Sequence, residues 1–219
     1  MESEVRDRSA LLTVLTTEHF TLQGARSGTI TESLGRTTIY LGSLSASLVA
    51  LALVFRGGSA VDDFRLFALV ILPALVFLGT VTFVRVVETG IEDAIYAQAI
   101  NRIRHYYLEL AGDDARYFAL GGNDDMQGGL ANMGLSPSPW RPFFSIGSVI
   151  ALINSMVAGA LAGITLDVFA PRGLALIAGV ALAVAALTVH FLLGYGRFIR
   201  AMERFAPQFP SPPHNTRTT

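Results

Sequence analysis

His105 and Glu109 stand one helical turn apart with Tyr106 beside them, and Glu88 and Glu92 repeat the spacing. An imidazole and a carboxylate so placed outline a general acid–base pair. A zinc site needs a third ligand at a defined spacing, and the chain offers none. The acidic pairs Asp113–Asp114 and Asp124–Asp125 lack the alternating ligand spacing of a calcium loop. These groups read as residues of solvated faces. Two other polar side chains are more costly where they lie. Asn154 and His190 fall inside apolar windows without charge, where a polar group must find a partner or serve a function. A neutral imidazole at position 190 accepts and passes protons. Asn154 reads more simply as one half of a hydrogen bond between helices.

Composition removes much other chemistry. The 219 residues include no cysteine, so thiolate catalysis, disulfides and Cys-based metal sites are excluded. All 16 basic residues are arginine, which removes Schiff-base and P-loop lysine chemistry. No phosphate-binding loop, dinucleotide fingerprint, zinc-protease helix or nucleophile elbow is present. The sequence therefore nominates no catalytic residue, no cofactor and no metal ligand. A net charge of −1 gives no argument for a nucleic-acid partner.

The elements that must carry these residues belong to a membrane protein. Charged residues make up 15% of the chain, against about a quarter in soluble domains. The mean hydropathy is +0.50. Four windows without charge, 37–55, 66–84, 142–166 and 173–196, each match the roughly 17–25 residues of a spanning helix. The expected fold class is all-α: a polytopic membrane protein of four transmembrane helices with cytoplasmic amphipathic helices. In the third window Gly147, Ala151, Ser155, Gly159 and Gly163 recur every fourth residue, so a second helix can approach that stripe backbone to backbone. Gly42, Ala46 and Ala50 repeat the pattern in the first window, and Ala175, Gly179 and Ala183 in the fourth. Packing within one bundle is the simpler reading of any single ladder. Three ladders together raise the prospect of a homo-oligomer. Pro73 lies mid-window in the second span, where a static kink is expected.

Arginine distribution orients the chain. Arg56, Arg65 and Arg172 lie in the two short connections, and the remaining thirteen lie in the termini and the central segment. By the positive-inside rule both termini and the centre are cytoplasmic. Trp140, Phe143 and Phe144 form an interfacial belt at the third span. MESEVRDRSA has no short apolar core, so a cleaved signal is not expected. Residues 1–36 read as an amphipathic helix leading into the first span, weakened by Thr and Gly content. Residues 85–111 read as a helix continuing the second span, with Ile91, Ile95, Ala99, Ile103, Tyr106 and Leu110 on one stripe. The two extensions are expected to pair as a stalk. Residues 112–141 form a Gly/Asp-rich loop with one short helix near residues 125–133, capped by Asp124 or Asp125. The segment 197–219 is a cytoplasmic tail, expected to be disordered from Ala206 onward because of its prolines and sparse apolar content.

The segments LLTVLTTEHFTLQGARSGTITESLGRTTIYLGSLSASLVALALV, INRIRHYYLEL and VIALINSMVAGALAG resemble a group of four-span integral membrane proteins from high-GC Gram-positive bacteria. The resemblance runs from about Leu11 to Arg200 and implies a bacterial plasma-membrane protein, with no activity attached. The helix–span–span–helix order of the first half is similar to two-span effectors of nucleotide-signalled bacterial defence, which implies perforation of a membrane. The expected partners are the lipid bilayer and a second copy of the chain. Three functions compete. The first expectation is a non-enzymatic protein that oligomerises through its small-residue faces and conducts or scaffolds. The second is a small transporter with a polar path at Asn154 and His190. The third is a membrane enzyme with cytoplasmic chemistry near His105, Tyr106 and Glu109.

Overall fold

The computed structural model describes residues 2–56, 61–138 and 140–213. Every regular element among them is helical: α1 (Glu2–Arg56), α2 (Val61–Ala111), α3 (Met126–Asn132), α4 (Ile146–Leu166) and α5 (Arg172–Arg204), with 3-10 turns at Gly112–Tyr117 and Arg141–Phe144. Helices α1, α2, α4 and α5 are long and apolar enough to cross a membrane. The chain is thus an all-α polytopic membrane protein.

Several boundaries differ from the sequence expectation for physical reasons. Helix α4 begins at Ile146, not at residue 142, because Ser145 is extended and its hydroxyl accepts the Ser148 amide at 3.2 Å. Helix α5 runs on to Arg204, past the charge-free window. Charge ends a membrane span but not a helix, and Arg, Met and Glu are good helix formers. Helix α1 is continuous through its threonines. Thr13, Thr17, Thr21, Thr31, Thr37 and Thr38 each donate a hydroxyl to the carbonyl four residues back, at 2.8–3.0 Å. Their polar groups are thereby satisfied inside the helix. Helix α2 runs unbroken through Pro73.

The chain divides into two compact units. The spanning unit comprises 32–89 and 140–199. Its core is two apolar clusters. Leu51, Ala68, Leu72, Leu75 and Val157 form one, with Phe64, Leu161 and Ile164 against it. Tyr40, Phe83, Val86, Ile150 and Ala151 form the other, with Leu187 against it. Large apolar side chains such as Phe77, Leu53, Ile177 and Leu192 point outward and are 65–72% exposed. An outward apolar surface of that kind suits contact with lipid.

Ionic clusters bracket the spans. At one end Glu32 accepts from Arg36 at 2.8 Å and from two Arg85 nitrogens at 2.8 and 3.2 Å. Arg85 also donates to Glu88 at 2.7 Å, and Arg197 lies 3.9 Å from Glu88. At the other end Arg65 pairs with Asp167. The rise along α2 from Arg65 to Arg85 is about 30 Å, the thickness of a bilayer's hydrocarbon core.

The second unit comprises 1–31, 90–139 and 200–219, so α1, α2 and α5 contribute to both units. Here α1 and α2 pair side by side. Arg26 donates to Asp93 at 2.8 Å, and the Tyr107 hydroxyl donates to Thr16 at 3.4 Å. Asp125 caps α3 by accepting the Gly128 amide at 2.7 Å. Loop 118–125 lies directly on α2: a Cβ on Gly122 would fall 2.7 Å from the His105 Cα. Glycine at 122 permits that approach. Residues 206–211, within the tail expected to be disordered, carry no regular structure, and the amides of Gln208, Phe209 and Ser211 donate to Asp124 and Asp125. Residues 214–219, under the same expectation, lie outside the described residues.

Candidate functional site

The α4 ladder meets α5 of the same chain. A Cβ on Gly159 would lie 2.5 Å from the Gly179 carbonyl oxygen and 2.7 Å from the Ala183 Cβ. One on Gly163 would lie 3.5 Å from the Ala175 carbonyl. Ala151 and Ser155 are buried, and Gly147 faces Val86 and Val87 of α2. The Gly42–Ala46 stripe of α1 is different. Nothing lies within 4 Å of a Cβ at Gly42, and Ala46 is exposed.

Asn154 and His190 each take a partner on a neighbouring helix. Asn154 is 1% exposed, and its Nδ2 donates to the Thr80 hydroxyl at 3.0 Å. Thr80 in turn donates to the Val76 carbonyl at 2.8 Å. Turning the amide over brings its nitrogen within 3.3 Å of that carbonyl, so either orientation binds the same turn of α2. Gly79 makes room: a Cβ there would lie 2.2 Å from the Asn154 Oδ1 and 2.9 Å from Tyr40.

His190 is half-buried on α5, and its ring meets Phe83 edge-on with centroids 4.6 Å apart. Its Nδ1 lies 2.7 Å from the Ala186 carbonyl and 3.3 Å from the Ser155 hydroxyl. A carbonyl only accepts, so Nδ1 carries the hydrogen in the neutral ring and Nε2 is left as the basic nitrogen. The Ser155 hydroxyl donates to Ala151 at 2.7 Å, leaving its lone pairs toward the ring.

These groups occupy one depth. Tyr40 lies about 6 Å along α1 from Arg36, Gly79 about 9 Å along α2 from Arg85, and His190 about 10 Å along α5 from Arg197. All three arginines belong to the same ionic cluster. The layer is thus Tyr40, Thr80, Asn154, Ser155 and His190, drawn from all four spans. Sequence reasoning missed Tyr40. It is fully buried, and its hydroxyl has no hydrogen-bond partner among the described residues. A lone tyrosine between Ile39 and Leu41 reads as apolar, and only packing reveals the stranded hydroxyl.

The acid–base pair read from the second unit is differently employed. His105 Nε2 is 3.4 Å from Glu109, but its ring stacks on Phe209 with centroids 3.7 Å apart. Tyr106 is half-buried beside it. Glu88 belongs to the ionic cluster. Among the described residues no group of three His, Asp or Glu side chains is placed to hold a metal ion. Asp124 is fully buried and accepts from Arg102 at 2.6 Å and from the Gln208 and Phe209 amides at 3.0 and 2.7 Å. Burial alone would raise its pKa, but the two amides and the guanidinium outweigh it and hold the carboxyl below the ordinary aspartate value.

No family model, curated protein or solved structure matches the chain.

Proposed function

We propose that the chain is a small proton-linked transporter of a bacterial plasma membrane, with its polar path at the Asn154–His190 layer. One observation carries this reading: the two intramembrane polar side chains share a depth through α4, where Asn154 and the His190 partner Ser155 are sequence neighbours. His190 supplies a basic nitrogen, and the serine, threonine and asparagine beside it offer further hydrogen-bonding groups. The arginine asymmetry supports cytoplasmic termini, and in that orientation the layer lies toward the cytoplasmic side. An enzymatic role for His105 and Glu109 draws no support from an imidazole covered by Phe209. No nucleic-acid partner is proposed.

The test uses the purified full chain in liposomes that enclose a pH-sensitive dye, with valinomycin and a potassium gradient to drive proton entry. Wild type is expected to acidify the interior faster than protein-free liposomes. His190→Ala should return the rate to that baseline, and Asn154→Leu should slow it. Wild-type flux at the baseline, or equal flux in His190→Ala, overturns the reading.

Self-association is a second reading, favoured by the open Gly42–Ala46 stripe of α1. Crosslinking in native membranes should yield a dimer or larger species that Gly42→Ile removes. A yield unchanged by Gly42→Ile excludes that face.

A further inference from the structure

The contacts on residues 205–211 recognise a backbone. The amides of Gln208 and Phe209 donate to Asp124, and the Ser211 amide and hydroxyl donate to Asp125 at 2.8 and 2.7 Å. In the other direction, the Ala206 carbonyl accepts from Arg102 at 2.8 Å, the Phe209 carbonyl from the Asp124 amide at 3.2 Å, and the Pro210 carbonyl from Asn123 at 3.3 Å. Two side chains are read as well. Phe209 stacks on His105, and the Arg102 guanidinium lies 4.8 Å from the centre of the Phe205 ring. We propose that this face of the second unit is a docking site for a bent, non-helical peptide, and that the chain's own residues 205–211 occupy it as a releasable strap.

The face is built independently of the strap. Asn101 donates to the Asn123 carbonyl at 3.0 Å, Asn132 donates to Asn101 at 3.0 Å, and Gly122 presses loop 118–125 onto α2. The strap itself buries little apolar surface, since Ala206, Pro207, Gln208 and Pro210 are exposed. Prolines 207 and 210 disfavour helix, and the chain bends at 208 and 209, where consecutive amides turn toward Asp124. Its attachment therefore rests on charge-assisted bonds to two adjacent carboxylates, the stronger class of hydrogen bond. Release would uncover Asp124, Arg102 and the His105 ring together.

Hydrogen exchange on the full chain in nanodiscs tests this at single amides. In wild type the Gln208, Phe209 and Ser211 amides should be protected. Asp124→Asn should speed exchange at 208 and 209 by roughly tenfold or more, as expected for loss of charge-assisted bonds. Asp125→Asn should act chiefly at 211. The variant Phe209→Pro with Ser211→Pro removes two of the three donated amides, the Phe209 ring and the Ser211 hydroxyl, alters only the strap and should release it without touching the site. A labelled peptide with the sequence of residues 205–213 should then bind that variant and not wild type. A strap unprotected in wild type, or protected equally in all variants, overturns the proposal. So does a peptide that fails to bind the variant whose strap exchanges freely.

Discussion

The backbones of Gly159 and Gly179 touch: a Cβ on either residue would lie within 2.7 Å of the other's carbonyl oxygen. No side-chain rotation relieves such a clash, because the obstructing atom is main chain. Helices α4 and α5 can approach this closely only because both ladders present small residues at the crossing.

Gly159→Ala should therefore force the helices apart and cost about 1–3 kcal/mol, the usual range for overpacking. Gly159→Ile should cost more. Gly42→Ala meets nothing within 4 Å and serves as the control. Its effect should stay within about 0.5 kcal/mol. Thermal unfolding in detergent distinguishes these outcomes. Equal stability of Gly159→Ala and wild type would show that the two helices do not meet as described.

Asn154 and Gly79 form a second coupled pair. Asn154→Ala removes the bond to Thr80 and should cost about 1 kcal/mol, the scale of interhelical hydrogen bonds in membranes. Gly79→Ala displaces the amide and the Tyr40 ring together and should cost more. The double variant should cost less than the sum, since alanine at 154 vacates the space that a Cβ at 79 requires. Unfolding by added sodium dodecyl sulfate measures all three. Additive losses would separate the two positions.

The spans were legible because lipid demands long runs without charge, and windows 66–84 and 173–196 lie within α2 and α5. Helix ends were less so, because arginine stops a span while continuing a helix, as at Arg197–Arg204. The partners of Asn154 and His190 were hidden for a different reason. Thr80 and Ser155 are ordinary small polar residues that gain meaning only from the register between helices. Tyr40 and the strap were invisible on the same ground. A proline-rich tail reads as disordered until two carboxylates distant in sequence are found to bind its amides.

His19 gives the second unit a pH dependence. Its ring packs near Tyr107, and its Nδ1 is buried with no partner among the described residues. Burial, and then the positive charge of Arg104, lower its pKa below the ordinary 6.5. As pH falls through that value the unfolded chain takes up a proton that the folded chain resists, so stability falls with it. Urea unfolding followed at pH 8 and pH 6 should show the acid loss, and His19→Gln should reduce it. An identical pH response in the variant would remove His19 from the account.

Asp124 acts in the same direction, in stronger acid. Its carboxyl is held below the ordinary value of 3.8, since the Gln208 and Phe209 amides and Arg102 outweigh the effect of burial. A lowered folded value means that the carboxylate stabilises the strapped state fully above the unfolded value. That contribution drains away as pH falls through the folded one. Once protonated, Asp124 no longer offers two anionic oxygens to three donors, and the strap loses its strongest attachment. The rate of hydrogen exchange at the Gln208 and Phe209 amides, divided by the rate in a free peptide spanning 205–213, reports the change. In wild type that ratio should rise steeply as the pH drops below the ordinary aspartate range. In Asp124→Asn it should be high throughout and flat. A flat ratio in wild type would mean that the Asp124 carboxylate does not govern the strap.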